Sequence, residues 1–221
     1  MSQTVLAPSI RAECLDRKVP MPDGPLTRER IWATAEDAIR KYGPAKATVV
    51  DVARALGVSH AAVYRHVASK AELRDLVVGR WMETIMPPLR AIATKSGPAT
   101  ERLRELFGAL IAVKRRRSSE DPELFTAYRA LAADAQSVAA AHVDELIELT
   151  ATIIRTGVRD GTFRTVDPVT AGRALLFATS RFHHPAHAGD WSDPALAAAF
   201  VDVWQLLMDG LVTGRKPRKS E

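Results

Sequence analysis

The chain is short of several things, and each shortage excludes something. Cys14 is its only cysteine. No intramolecular disulfide can form, and a reducing compartment is expected. Aromatic residues make up only 6%, and the alternation of β-branched and polar residues that marks half-buried strands is scarce. Alanine is abundant instead, so an all-helical fold is expected. No apolar stretch reaches the about 18 residues that a membrane span needs. The first residues lack an apolar segment after positive charge, so no secretory signal is expected and the protein is placed in the cytoplasm. The fingerprints G-x-S-x-G, H-E-x-x-H, the phosphate loop and the Gly-rich dinucleotide turn are all missing. No catalysis and no cofactor are expected.

What is present points to a polyanion and to helices. The 221 residues suffice for a small domain and a larger one. Apolar residues make up 47%, and 31 Lys and Arg against 26 Asp and Glu leave a net charge of +5. That charge suits nucleic acid, although many basic proteins bind none.

The informative stretch is Thr48 to Lys70, TVVDVARALGVSHAAVYRHVASK. Val52, Ala53 and Leu56 share one helical face. Thr48 stands where a hydroxyl caps that helix, and Gly57 where a left-handed residue ends it. Val58 can pack back across the turn. Ser59 can cap a second helix that runs through Tyr64 to about His66. Val63 and Val67 form its inner face; His60, Ala61, Tyr64 and Arg65 lie outside. Two short helices about a tight turn make a helix-turn-helix, whose second helix offers its first residues to base edges in the major groove.

Thr48, Val52, Ala53, Leu56, Gly57, Val58 and Ser59, followed by Val63, Tyr64, His66, Val67, Ser69 and Lys70, resemble the DNA-binding domain of the tetracycline-repressor (TetR) family. The likeness covers about residues 26 to 75. The resemblance implies that Tyr64 meets the DNA backbone or a thymine methyl, and that His66 and Lys70 meet phosphates. Base reading falls to His60, Ala61 and Arg65, since a guanidinium can pair with guanine O6 and N7. The expected DNA-contacting set is Thr48, Val49, Ser59, His60, Ala61, Tyr64, Arg65, His66 and Lys70.

Along the chain, residues 1–25 hold Pro8, Pro20, Pro22, Gly24 and Pro25 without a period and read as a flexible arm. Arg11, Arg17 and Lys18 are its candidate minor-groove cations, with a solvated tail as the plainer reading. A first helix is expected over about 28–42, capped by Thr27 and ended by Gly43-Pro44. A linking helix follows Ser69, with a kink or break at Pro87-Pro88. Asp121-Pro122, Asp167-Pro168 and Asp193-Pro194 each place a capping carboxylate before a proline, with Gly97-Pro98 a weaker version. Helices are expected over about 98–117, 122–135, 138–159, 168–182 and 194–213, about nine in all. The domains are then a head over 26–75, an effector-binding and dimerisation bundle over 76–213, and a basic tail over 214–221.

Three further groups matter. Lys114-Arg115-Arg116-Arg117 reads as cations at a helix C-terminus, where the dipole favours them. His183, His184 and His187 suggest a metal, but Pro185 interrupts any shared helical face, so no metal is assigned. On the helices that hold most of the aromatic and methionine content outside the head, Trp81, Ile85, Met86, Phe107, Ile111, Phe125, Tyr128, His142, Leu146, Phe177, Arg181 and Phe182 are the candidate lining of a mostly apolar effector pocket, with Tyr128, His142 and Arg181 as its polar groups. Ala171, Ala174, Leu175, Ala178, Leu196, Ala199, Phe200, Val203 and Leu207 are candidates for a two-fold four-helix interface, with Gly172 helping close approach.

The function expected is a homodimeric repressor released from a palindromic operator in double-stranded DNA by a small effector. Two alternatives stand beside it. One is a DNA-binding protein of the same fold that takes no small ligand, acting as an activator or controlled by a partner protein, for which a closed core would speak. The other is a metal sensor built on His183–His187.

Overall fold

The structure, a computed structural model, describes residues 24–214. The proposed arm, with Cys14, Arg11, Arg17 and Lys18, and most of the basic tail lie outside the described residues. Among the described residues the fold is all-α; one isolated bridge pairs Phe163 with Val212 and no strand forms.

Three helices open the chain: α1 (Arg28–Tyr42), α2 (Val49–Leu56) and α3 (His60–Tyr64). Their ends follow local chemistry. Thr27 accepts from the Arg30 backbone N–H, and Gly43 leaves α1 at φ 79°. Thr48 and Asp51 form a reciprocal capping box, and Gly57 closes α2 in the left-handed region at φ 65°. Ser59 caps α3 through the Ala62 N–H at 3.2 Å.

The chain continues through α4 (Lys70–Glu83), α5 (Met86–Thr94), α6 (Ala99–Glu120), α7 (Pro122–Asp134), α8 (Gln136–Arg159), α9 (Pro168–Ala178), α10 (Ser180–His183), a 3-10 turn (Pro185–Asp190) and α11 (Ala195–Leu211). Asp121 and Asp167 cap α7 and α9, at 3.0 and 2.7 Å from the Leu124 and Thr170 amides. Asp193 sits one residue farther out: it accepts from Ala195, and Pro194 rather than the aspartate holds the cap position.

The described elements exceed the nine expected for three reasons. The linking helix ends at Glu83, before the prolines. Thr84 turns its hydroxyl back to the Trp81 carbonyl at 2.7 Å, and Pro87-Pro88 then start α5, where a missing N–H costs nothing. The helix expected over 168–182 breaks at Thr179, whose hydroxyl donates to the Leu175 carbonyl at 2.8 Å. The 3-10 turn fills a stretch read as a loop and carries Trp191, which is buried and donates to the Arg181 carbonyl.

Two apolar cores result, and they do not divide at residue 75. The first joins Ile31, Val52, Leu56, Val63 and Val67 of the opening helices to Val77 and Trp81 of α4 and to Phe125 and Tyr128 of α7. The second gathers Leu89, Leu103, Phe107, Ile153, Ile154, Trp204 and Met208 from α5, α6, α8 and α11. α4 therefore belongs to the head at its start and to the body at its end. Gly172 meets the α8 backbone: an added Cβ would stand 3.0 Å from the Ile147 carbonyl oxygen. Its close approach is made within the chain, which removes it from the expected two-fold seam.

Candidate nucleic-acid interface and buried cavity

The outer side of the helix-turn-helix is built from inward anchors. Val63 and Val67 are fully buried and pin α3 to the first core. His60, Ala61, Tyr64, Arg65 and Lys70 are left exposed, as is Ser59. Tyr64 keeps 47% of its surface in water, unusual for a ring that merely covers a core. His66 is half-buried, and its carbonyl accepts from Arg28 Nη1 at 2.9 Å. Arg28 also pairs with Glu72 at 3.2 Å. The Ala68 N–H first, and Arg28 after it, hold the Glu72 carboxyl below its usual range. These bonds tie α1 to the exit of α3 and to the start of α4, beside Lys70.

Two members of the expected set have partners within the head. Val49 is only 3% exposed and packs in the first core, so its side chain is not presented to a ligand. Thr48 is committed to its capping box: its Oγ1 lies 2.6 Å from Asp51 Oδ2, and that bond is the first cause of the lowered Asp51 pKa.

A cavity of about 360 Å³ lies among α4, α6, α7, α8, α9 and α10. Trp81, Tyr128, His142, Leu146 and Phe177, all candidates from the sequence, line it. Trp81 stacks on Tyr128 with ring centroids 4.7 Å apart. The Tyr128 hydroxyl leaves the cavity to donate to Glu36 Oε2 on α1 at 2.8 Å. Burial, then the Glu36 charge, push the Tyr128 pKa up, so the phenol stays a donor.

The other expected lining residues do not reach this space. Ile85, Met86 and Phe107 are buried in the second core, and Phe125 and Phe182 in the first. Ile111 packs against the first core from its edge. Arg181 is exposed and paired with Asp190 at 3.0 Å. Residue type along the chain does not say which core each of these side chains fills.

The cavity also holds groups the sequence did not assign to it: Lys114, His183, His184, Met82 and Arg129. Lys114 is 5% exposed, and α6 runs on to Glu120, so it is a wall residue and not a cation at a helix end. The signal was present: Leu103, Phe107, Leu110 and Lys114 follow one another at spacings of three and four on the buried stripe. Lys114 Nζ lies 3.5 Å from His142 Nε2 and 5.9 Å from the Trp81 ring centroid. An ammonium can only donate, so His142 presents Nε2 as acceptor and carries its proton on Nδ1. Burial pushes Lys114 down to about 8. Burial, with Lys114 next, pushes His142 to about 3 and His183 to about 4. At neutral pH the two histidines are uncharged and Lys114 is the buried cation.

The histidine cluster is divided. His183 Nε2 meets Thr179 Oγ1 at 3.2 Å, while His184 Nδ1 accepts from the Ala186 N–H that opens the 3-10 turn. Among the described residues no three His, Cys, Asp or Glu side chains converge as metal ligands would.

The candidate two-fold seam is partly interior. Leu175 and Leu196 are 4% and 3% exposed and belong to the chain's own cores, which withdraws them from an interface. Ala174, Ala178 and Ala199 are exposed, and Ala171, Phe200, Val203 and Leu207 half-buried. Phe200 stacks within the chain on Trp204. Leu206, exposed at 75%, adds apolar surface beside Ala171, Ala174 and Leu207.

A helix-turn-helix with a solvent-facing recognition helix, joined by one helix to a cavity-bearing helical body, defines a DNA-binding transcriptional regulator. The chain belongs to the TetR family: residues 31–77 match the bacterial regulatory proteins of the tetR family, and residues 99–204 the tetracyclin repressor-like C-terminal domain. Proteins of this family are non-enzymatic DNA-binding regulators. Solved structures share the fold. SmeT, the repressor of the Stenotrophomonas maltophilia multidrug efflux pump SmeDEF, superposes with a TM-score of 0.60 at 22% identity over 88% of this chain and 95% of that one. A SmeT–triclosan complex gives 0.60 at 19% over 85% and 92%. A TetR transcription regulator from Haloarcula marismortui gives 0.63 at 20% over 84% and 98%. None of the curated proteins matches in sequence. No helix among the described residues is long and apolar enough to cross a membrane.

Proposed function

We propose that the chain is a homodimeric, cytoplasmic repressor that leaves a palindromic operator when a small effector enters the cavity. The observation that carries this reading is the bond from cavity to head: Tyr128 lines the cavity, stacks on Trp81 of α4 and donates to Glu36 of α1. A ligand pressing on that pair acts on both helices that hold the recognition helix. The open cavity speaks against the regulator without a ligand, which calls for a closed core. The divided histidines speak against the metal sensor.

In this reading the head spans about 26–75 and the body about 76–213, with α4 common to both. Exposed Tyr64, Arg65 and Lys70, with His60, Ala61, Ser59 and half-buried His66, meet the DNA. One short helix reads few base pairs, so two heads are needed, their half-site centres about 34–40 Å apart. The break at Thr84–Ile85 lets α4 tilt against α5, and a small tilt changes that spacing. Apolar Leu206, with Ala174, Ala178 and Ala199, forms the two-fold seam. Leu206→Glu then yields monomers by light scattering; a dimer that persists would show that another surface carries the seam.

Binding of the full chain to a randomised duplex library at low salt tests the operator reading. A selected inverted repeat is expected. Recovery of no enriched sequence would overturn it.

A further inference from the structure

The cavity wall carries one buried cation and no counter-ion. Lys114 lies in α6 with 5% of its surface exposed, and no aspartate or glutamate lines the space around it. It makes no ion pair among the described residues. Its ammonium has three donors, of which His142 Nε2 at 3.5 Å accepts one, at the limit of a hydrogen bond. The Trp81 ring at 5.9 Å gives a weak cation–π contact. Removing an ammonium from water without a counter-ion is costly, and the fold retains one here with donors to spare. Burial has pulled its pKa only to about 8, so the charge survives at neutral pH.

The rest of the wall has the opposite character. Trp81, Met82, Val143, Leu146 and Leu176 are apolar, and His142 and His183 are neutral. Arg129, the other cation on the wall, is exposed and keeps its water. A single unmet positive charge in an apolar cavity of about 360 Å³ sets the demand on an occupant. It must bring one negative charge, and an apolar body to fill the remaining volume. A dianion such as a phosphate monoester would have to place its second charge against Arg129, which is exposed and keeps its water.

We propose that the cavity takes a small organic monoanion, a carboxylate with an apolar body, whose carboxylate docks on Lys114 and whose body lies against Trp81 and Leu146. This rests on the reading of the cavity as the effector site and names the class of the effector. Lys114 has already lost its water on folding, so binding adds only the desolvation of the carboxylate, and the buried pair is weakly screened by salt. Lys114 is then the residue that sets specificity.

Matched probes separate the charge from the body: octanoate with octanamide, and 1-naphthoate with 1-naphthamide. Each is titrated calorimetrically into the full chain, and each is tested for release of the selected duplex. Each carboxylate is expected to bind about 10- to 100-fold tighter than its amide. Lys114→Met and Lys114→Gln, both uncharged and close in volume, should erase that preference while the amide still binds. If amides bind the unaltered protein as tightly as carboxylates, or if both variants keep the preference, the anion assignment is overturned and the effector reading stands. If neither member of either pair binds or releases the duplex, both are overturned.

Discussion

Lys70 and Lys114 carry the same ammonium in opposite surroundings. Lys70 stands in water beside the recognition helix, and Lys114 is sealed between α6, α8 and the Trp81 ring. Around Lys70 the charge costs nothing to keep, is screened within about 8–10 Å by salt, and meets any phosphate equally well. Around Lys114 the charge has lost its water, is screened little, and has room for one partner of limited size. Hydration, not charge, decides which site is promiscuous and which is selective. On the proposed reading the head uses several such cheap cations and gains affinity without sequence. The cavity uses one expensive cation and gains discrimination.

Removing the expensive charge has the largest expected effect. Lys114 falls from 10.5 to about 8 on folding, so below pH 8 the folded state carries the whole cost of its proton. The shift corresponds to about 3 kcal/mol at 1.36 kcal/mol per unit. That cost is relieved as pH rises from about 8 to 10.5, because over that window the unfolded chain holds the proton and the folded chain does not. His142, His183, His184, Tyr128 and Arg129 face the same space. His142 and His183 are already neutral there, burial and then His187 and Lys114 lower the His184 pKa as well, and Tyr128 keeps its proton because its own pKa is pushed up. Lys114→Met should therefore raise the melting temperature of the ligand-free protein at pH 7 by about 5–10 °C. The difference from the unaltered protein should shrink towards pH 10. A variant less stable than the parent at pH 7 would mean that Lys114 has a partner beyond His142.

Arg65 tests the exposed side of the comparison. Arg65→Ala should cost about 1–3 kcal/mol on the best duplex and relax preference at one base position, measured by selection from a randomised library. Uniform weakening across all sequences would place Arg65 on a phosphate instead. Tyr128→Phe tests the connection between the two regions. Loss of its bond to Glu36 should lower stability by about 1 kcal/mol and weaken the reciprocal coupling of ligand and DNA, while DNA affinity without ligand holds. Coupling measured as the change in DNA affinity at saturating octanoate checks this, and an unchanged value would exclude the Tyr128–Glu36 route. The smallest effect is expected at Lys70. Lys70→Ala should lower affinity for all duplexes alike and reduce the log–log salt slope by about one. A change in base preference would break the distinction drawn between the two lysines.

The head was legible because its decisive interactions are local. Thr48 and Asp51 are three residues apart, Gly57 ends its own helix, and Ser59 caps the next. Such bonds need no tertiary partner, so type and spacing along the chain suffice. The aspartate caps before Pro122 and Pro168 were readable for the same reason.

By itself the sequence determined most of the helices and of their ends, the helix-turn-helix and which side of it faces water. It also carried Lys114 on the buried stripe of α6, yet the three arginines after it made the run resemble a solvated helix end. Only the tertiary structure decided which aromatic rings line the cavity and which fill a core. Phe177 and Phe107 look alike in sequence, and one is 58% exposed while the other is buried. It also decided that Leu175 and Leu196 turn inward, and that α9 stops at Thr179 so that His183 faces Thr179 and the cavity. The physical reason is common to all of these. A cap is set by atoms a few residues apart, whereas burial is set by whatever other helix arrives. Whether a lysine keeps its water depends on α4 and α8, which are about thirty residues away in either direction.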